Sequence, residues 1–384
     1  MSDLKFRRIF LGVSVIGLAT LIFPTIATAD QTVKIGVSGP LTGASAANGK
    51  DIENGVRMAI DEANAQHLKI GSGEVRFVLD SVDDQGDPRV GVQVAQKLVD
   101  EGVTVVVGHY NSGVCLPASR VFASAGIPLI DPAATNPTIT QQGLASVFRV
   151  IPTDAQNAGN AGKYAVTVTR AKRIAVMDDR TAFGQGEADE FKKAVQANGG
   201  NIVVSEFTND KAVEFNAQLT NIKSSNADVL FFGGLDGQAG LVAKRMKQLA
   251  MKTRFLGGGA IADSIFTQIA GDAGEGGLAW EYGRPLDRLP KGKEFATNYE
   301  KKFGSAPLTY SPFAYDAAAL AIAAMKEANS TKPAEITAAL KKIRYTGITG
   351  EISFDKNGDL LKPSSTLYQV ERGKWTPVTT IGAD

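Results

Sequence analysis

Residues 173–177, Arg173-Ile174-Ala175-Val176-Met177, restart in mid-chain the strand-then-helix pattern that Val33-Lys34-Ile35-Gly36-Val37 opens. After the first run, a helix is expected over 51–64, where Ile52, Val56, Ile60 and Ala63 recur at helical spacing. A strand over 75–79 follows, then a helix with Pro88 as its first residue and Val90, Val94 and Leu98 on one face, then strands over 103–107 and 127–130. The second round reads as helix 187–198, strand 202–205, helix 215–224, strand 229–232 and helix 238–248. Short β-branched runs alternating with longer helices indicate a parallel sheet covered by helices. The fold class is therefore α/β, with two doubly wound parallel-sheet lobes.

The tail is not a third such unit. Helices near 291–303, 312–328 and 333–342 are followed by short strands around 350–354 and 366–371, so the chain is expected to cross back and complete both lobes. At the other end, Lys5, Arg7 and Arg8 precede an apolar run over 9–23 and the small residues Ala27-Thr28-Ala29. This pattern is a signal peptide, with cleavage expected after Ala29. A membrane anchor would need roughly 20 apolar residues, whereas Gly12, Gly17 and Pro24 interrupt this run. Arg7-Arg8-Ile9-Phe10-Leu11 is similar to a twin-arginine signal, although Phe6 stands where Ser or Thr is usual, which leaves ordinary export favoured.

The only cysteine, Cys115, lies far from the cleavage site, so no lipid anchor is expected and the periplasm is the expected compartment. Removing residues 1–29 from the 384 leaves 355, above the roughly 250–300 residues at which a single core stops growing. The signal takes three basic residues and one acidic from totals of 41 and 40, leaving 38 against 39. That balance argues against a nucleic-acid partner. One cysteine excludes an intrachain disulfide, and the isolated His67 and His109 make a zinc cluster improbable.

In doubly wound sheets, ligands sit beyond the carboxyl ends of the strands, beside helix N-termini that favour anions. The loops at those positions are 39–49, 108–113, 131–137, 178–186, 233–240 and 257–263. All six are rich in Gly, Ser, Thr or Asn, which suits ordinary turns singly and a shared cleft collectively. No nucleophile elbow, phosphate loop or dinucleotide fingerprint is present. Asp355-Lys356-Asn357-Gly358-Asp359 starts like a calcium loop, but Leu360 and Thr366 stand where Gly and Glu are needed, and a turn at Asn357-Gly358 explains it. No cofactor, metal or enzymatic activity is expected.

The ordered segments 36–43 (GVSGPLTG), 83–88 (DDQGDP), Gly108-His109, 132–135 (PAAT) and 183–186 (FGQG) resemble the leucine/isoleucine/valine-binding proteins of bacterial ABC transporters. The resemblance covers nearly the whole mature chain. It implies the type I periplasmic binding fold, with two lobes joined by three crossovers that close on a ligand for delivery to a membrane permease by a monomer. The crossings fall by resemblance near 150, 279 and 363. Residues 1–29 are then the signal peptide, 30–150 with 280–363 one lobe, and 151–279 with 364–384 the other.

By the same resemblance, Ser112 and neighbouring amides hold a ligand carboxylate, with a simple helix cap as the alternative. Ala133, Ala134 and Thr135 contact the polar head of the ligand. Phe183, Leu235 and Tyr310 line the side-chain pocket, and Tyr110 is a further candidate wall. Three departures matter. Gly259 stands where the branched-chain binders carry an acid that pairs with the ligand ammonium, Asn48 replaces a tyrosine, and Gly86 and Asn111 occupy the positions of a disulfide. Either Asp236 substitutes as the amine anchor, or the ligand is an aromatic or aliphatic acid without an α-amine. A sensory receptor remains a further alternative to transport.

Overall fold

The computed structural model describes Met1 and residues 31–382. The expected signal peptide and its cleavage after Ala29 lie outside the described residues. Two sheets organise the chain. The first runs Lys69–Ile70, Gly73–Asp83, Gln31–Gly39, Val105–Gly108, Leu129–Asp131, Val147–Arg149, and is parallel apart from the short hairpin at its edge. The second runs Lys374–Ile381, Ser365–Glu371, Leu278–Tyr282, Arg254–Gly257, Val229–Gly233, Ile174–Asp178, Ile202–Phe207. Its last two strands in sequence add antiparallel to a parallel core. The central strands are buried along their length, as apolar runs covered by helices on both faces must be.

Local chemistry sets the helix boundaries. Pro88 sits in the first turn of Pro88–Asp100, and the Asp87 side chain accepts the amides of Arg89 and Val90. Pro fits there because its missing N–H would be unsatisfied anyway. Helix Ala182–Ala197 starts before the expected 187, because the Thr181 hydroxyl caps the amide of Gly184 and places Phe183 and Glu187 in one helix. Helix Ser311–Ala328 packs on Ala46–Asn64 and closes the core of the first lobe.

The chain passes between the sheets after Arg149, after Tyr282 and before Ser365. Strand Leu278–Tyr282 pairs with Arg254–Gly257, so the middle passage follows Tyr282 rather than 279. The segment around 350–354 joins neither sheet. Glu351–Ile352 pairs only with Tyr345–Thr346 in a two-stranded ribbon. Among the described residues, no helix is long and apolar enough to cross a membrane.

Candidate ligand-binding cleft

A cavity of about 650 Å3 opens between the lobes. The first lobe contributes Tyr110, Ser112, Ala133 and Tyr310, and the second contributes Phe183, Leu235 and Ala260. Asp179, Arg180, Asp210 and Lys211 add charge to the lining. Its walls are mostly apolar with a few convergent polar groups, the usual composition of a small-molecule site. Elsewhere the lobes touch: Asn136 Nδ2 donates to the Ala182 carbonyl at 2.6 Å, and Ala182 lies beside Gly113.

Buried polar groups hold the first wall in place. Asp51 receives the amides of Leu308, Tyr310 and Ser311 at 2.7 to 3.0 Å, and the Tyr299 hydroxyl at 2.9 Å. It thereby fixes the loop that carries Tyr310. Burial nevertheless raises its pKa. Tyr310 stands edge-to-face with Tyr110 at 5.2 Å between ring centroids, and Asn48 Nδ2 donates to the Tyr110 hydroxyl at 3.3 Å. Asn48, at the position expected to hold a tyrosine, thus ties down a tyrosine from another segment.

Asp131 Oδ1 accepts the amides of Ala133 and Ala134, shaping the turn that carries 133–135. Burial holds the Asp131 pKa up at about 7 against the opposing pull of Arg149. The fully buried Arg149 donates to the carbonyls of Ala134 and Asn136, each at 2.9 Å, to Thr140 Oγ1, and to Asp359. The turn at 355–359 is therefore a structural clamp on the cleft floor. Ser112 is the first residue of helix Ser112–Ser124, and its Oγ accepts the Asn136 amide at 3.3 Å. An anion beside Ser112 meets the unpaired amides of a helix start.

Four of the sequence-derived residues lie behind the wall. Ala134, Thr135, Asp236 and Gly259 are not in the cavity lining. Thr135 is fully buried, with the Tyr282 hydroxyl 3.4 Å from its Oγ1 and the Asp154 carboxyl beside it. A Cβ at Gly259 would lie 2.1 Å from the Tyr282 ring, and one at Gly258 would lie 2.2 Å from the Glu187 carboxylate. Tyr282 and Glu187 thus fill the space that side chains at 258 and 259 would need, and Glu187 Oε1 accepts the Gly259 amide at 2.6 Å.

Glu187, Tyr282, Glu281 and Asp263 escaped the reading of the sequence. The run Gly257-Gly258-Gly259 was the available signal, because consecutive glycines after a strand mark a close approach by other groups. Gly86 and Asn111, the positions of the absent disulfide, do lie together: a Cβ on Gly86 would be 3.2 Å from Asn111 Oδ1.

Two α/β lobes, three connecting passages and a solvent-open cavity between strand ends define a bilobal solute-binding protein. A family model described as "Periplasmic binding protein" matches residues 32–374, and the chain belongs to that family, in its branched-chain amino-acid transporter branch. The chain is 35% identical over 368 residues to a Leu/Ile/Val-binding protein homolog of Brucella suis, covering 96% of this chain and 97% of that one. Among solved structures, it is similar to a leucine binding protein of Thermotoga maritima, with a TM-score of 0.83 and 26% identity over 91% of this chain and 98% of that one. It is also similar to a solute binding protein of Rhodopseudomonas palustris in complex with 3,4-dihydroxybenzoic acid, with a TM-score of 0.80 and 25% identity, covering 92% and 98%. Proteins of this family are exported to the periplasm and bind small ligands for ABC transporters.

Proposed function

We propose that this chain, processed after Ala29 and monomeric in the periplasm, captures a carboxylate-bearing amino acid between its lobes and releases it to an ABC permease without chemical change. The observation that carries this reading is the placement of Ser112. It starts a helix at the cavity wall, where a hydroxyl and free amides suit a carboxylate, and it faces the apolar residues Phe183, Leu235 and Tyr310 that suit a side chain. Cleft closure supplies the switch, since contacts from both lobes form only around a bound ligand.

A second reading has its own support. Tyr282 excludes an acid at 259, and a neighbour of similar fold holds a dihydroxybenzoic acid, so an aromatic acid without an amine also fits the wall of tyrosines. Calorimetric titration against an amino-acid panel and an organic-acid panel separates the two. Saturable binding of a branched-chain amino acid with a fall in radius of gyration supports the first reading. Tight binding only of uncharged sugars or amides defeats both.

A further inference from the structure

The cavity that contains Ser112 draws all of its charged side chains, Asp179, Arg180, Asp210 and Lys211, from the second lobe. The lobe that carries Ser112 supplies none to this wall. Asp179 is 2% exposed, and its Oδ1 accepts the amide and the hydroxyl of Thr181 at 2.9 and 2.7 Å, so that carboxyl is committed to its own turn. Asp210 and Lys211 are neighbours in an exposed loop and offset each other. Arg180 is left as the cation of the wall.

The main chain and two side chains hold Arg180 in position. Its backbone is left-handed, with φ of 60°, a region that non-glycine residues seldom occupy and that is found at ligand clamps. Its amide donates to Asp178 Oδ1 at 3.0 Å, and its Nε lies 3.6 Å from the same oxygen. The guanidinium lies over the Phe207 ring, with Cζ 4.2 Å from the centroid. Stacking orients the fork without neutralising it. Among the described residues, the terminal nitrogens make no hydrogen bond, and the side chain is 46% exposed.

Contacts across the cleft put this cation beside Ser112. Asn136 touches both lobes, its amide donating to Ser112 Oγ at 3.3 Å and its Nδ2 donating to the Ala182 carbonyl at 2.6 Å. A Cβ on Gly113 would lie 3.7 Å from the Ala182 Cβ. Ser112 and Gly113 therefore face Ala182, and Arg180 stands two residues from Ala182 in the lining of the same cavity. Ser112 is 1% exposed, and its hydroxyl hydrogen has no acceptor among the described residues.

We propose that Arg180 is the second-lobe half of the carboxylate site: when the lobes close on a ligand, its guanidinium reaches the acid group held at Ser112. Ser112 and the helix-start amides offer partial charges only. Arg180 adds a full charge, in the forked geometry that a carboxylate matches. Because the cation and the hydroxyl belong to different lobes, the pair forms around the ligand in the closed state. The inference rests on the ligand carboxylate that both readings of the cleft share, and it is indifferent to the presence of an amine.

The test is calorimetric titration of the natural protein, Arg180→Gln and Arg180→Lys with L-leucine and with 3,4-dihydroxybenzoate, at about 0.05 and about 0.5 M NaCl. Arg180→Gln should weaken the acid that the natural protein binds by about 10- to 100-fold, the scale of a lost hydrogen bond to a charged group. Arg180→Lys should keep part of that affinity, since the charge remains and the fork does not. Higher salt should weaken binding to the natural protein severalfold and to Arg180→Gln much less. The melting temperature of both variants should stay within about 2 °C of the natural value, because the side chain is half exposed. Affinity of Arg180→Gln within about twofold of the natural protein overturns the role of Arg180 and leaves the carboxylate reading standing. A loss that comes with a lower melting temperature and an unchanged salt dependence does the same. If the natural protein binds neither acid at millimolar concentrations, the carboxylate reading falls and this inference with it.

Discussion

The wall contributed by the six-stranded lobe and the wall contributed by the seven-stranded lobe treat buried charge differently. In the first, Asp51 uses both oxygens, Asp131 holds two amides, and Arg149 reaches four separate residues. In the second, Glu187 Oε2, Asp236 Oδ2 and both Asp154 oxygens lack a hydrogen-bond donor. The first wall is preorganised, so Ser112, Ala133 and Tyr310 hold their positions before a ligand arrives. The second keeps carboxyl oxygens without donors, and burial raises the pKa of Glu187 and Asp154. Fixed positions and unrelieved charge have been divided between the two halves of one cleft.

Removing the keystone of the ordered wall is the hardest test of this contrast. Arg149→Ala strands two carbonyls and takes the compensating charge from the buried Asp131, so stability should fall by roughly 3 to 5 kcal/mol, the scale of a broken buried pair. Urea unfolding measures it, and a loss under about 1 kcal/mol would mean that the first wall is not held as described. On the opposite wall, Gly259→Ala forces the buried Tyr282 ring away from Thr135. The expected cost is roughly 1 to 3 kcal/mol, as for other overpacked sites, and an unchanged melting temperature would show that Tyr282 moves freely.

Burial of carboxyl groups in this lobe also predicts a pH response. Burial raises Asp154 and Glu281 to about 7 and Asp179 to about 6, above model values of 3.8, 4.5 and 3.8. Raised folded-state values mean that the native chain binds more protons than the unfolded chain between about pH 4 and 7. Stability from these groups is therefore complete below about pH 4 and is lost progressively as pH rises to about 7. Moving from about pH 7.5 to pH 5.5 should add on the order of 2 kcal/mol, visible as a higher melting temperature. A fall over that interval would show that these carboxyl groups are ionised and satisfied in the native state.

The smallest change is expected at Ser112. Ser112→Ala removes one hydroxyl and leaves the helix-start amides in place, so ligand affinity should drop by roughly 1 to 2 kcal/mol, while the buried Asn136 amide loses its acceptor and stability falls by about 1 kcal/mol. Titration of a ligand that binds the natural protein gives the number. A null result would place the carboxylate on backbone amides alone.

By itself, the sequence determined the architecture, because apolar periodicity and β-branched runs are local signals. Strand Ile174–Asp178 and helix Pro88–Asp100 could be read from a few consecutive residues, and the ordered glycine-rich loops pointed to the cleft. The short strand Val147–Arg149 and helix Asp154–Thr167 were not legible, since the first is only three residues long and the second shows no strong apolar stripe. The chemistry behind the cleft wall was decided by tertiary structure alone. Tyr282 reaches Gly259 and Glu187 reaches the amide of Gly259, in each case through the meeting of different strands and helices. A carboxyl group's charge depends on what surrounds it, and those surroundings come from segments far apart in the chain.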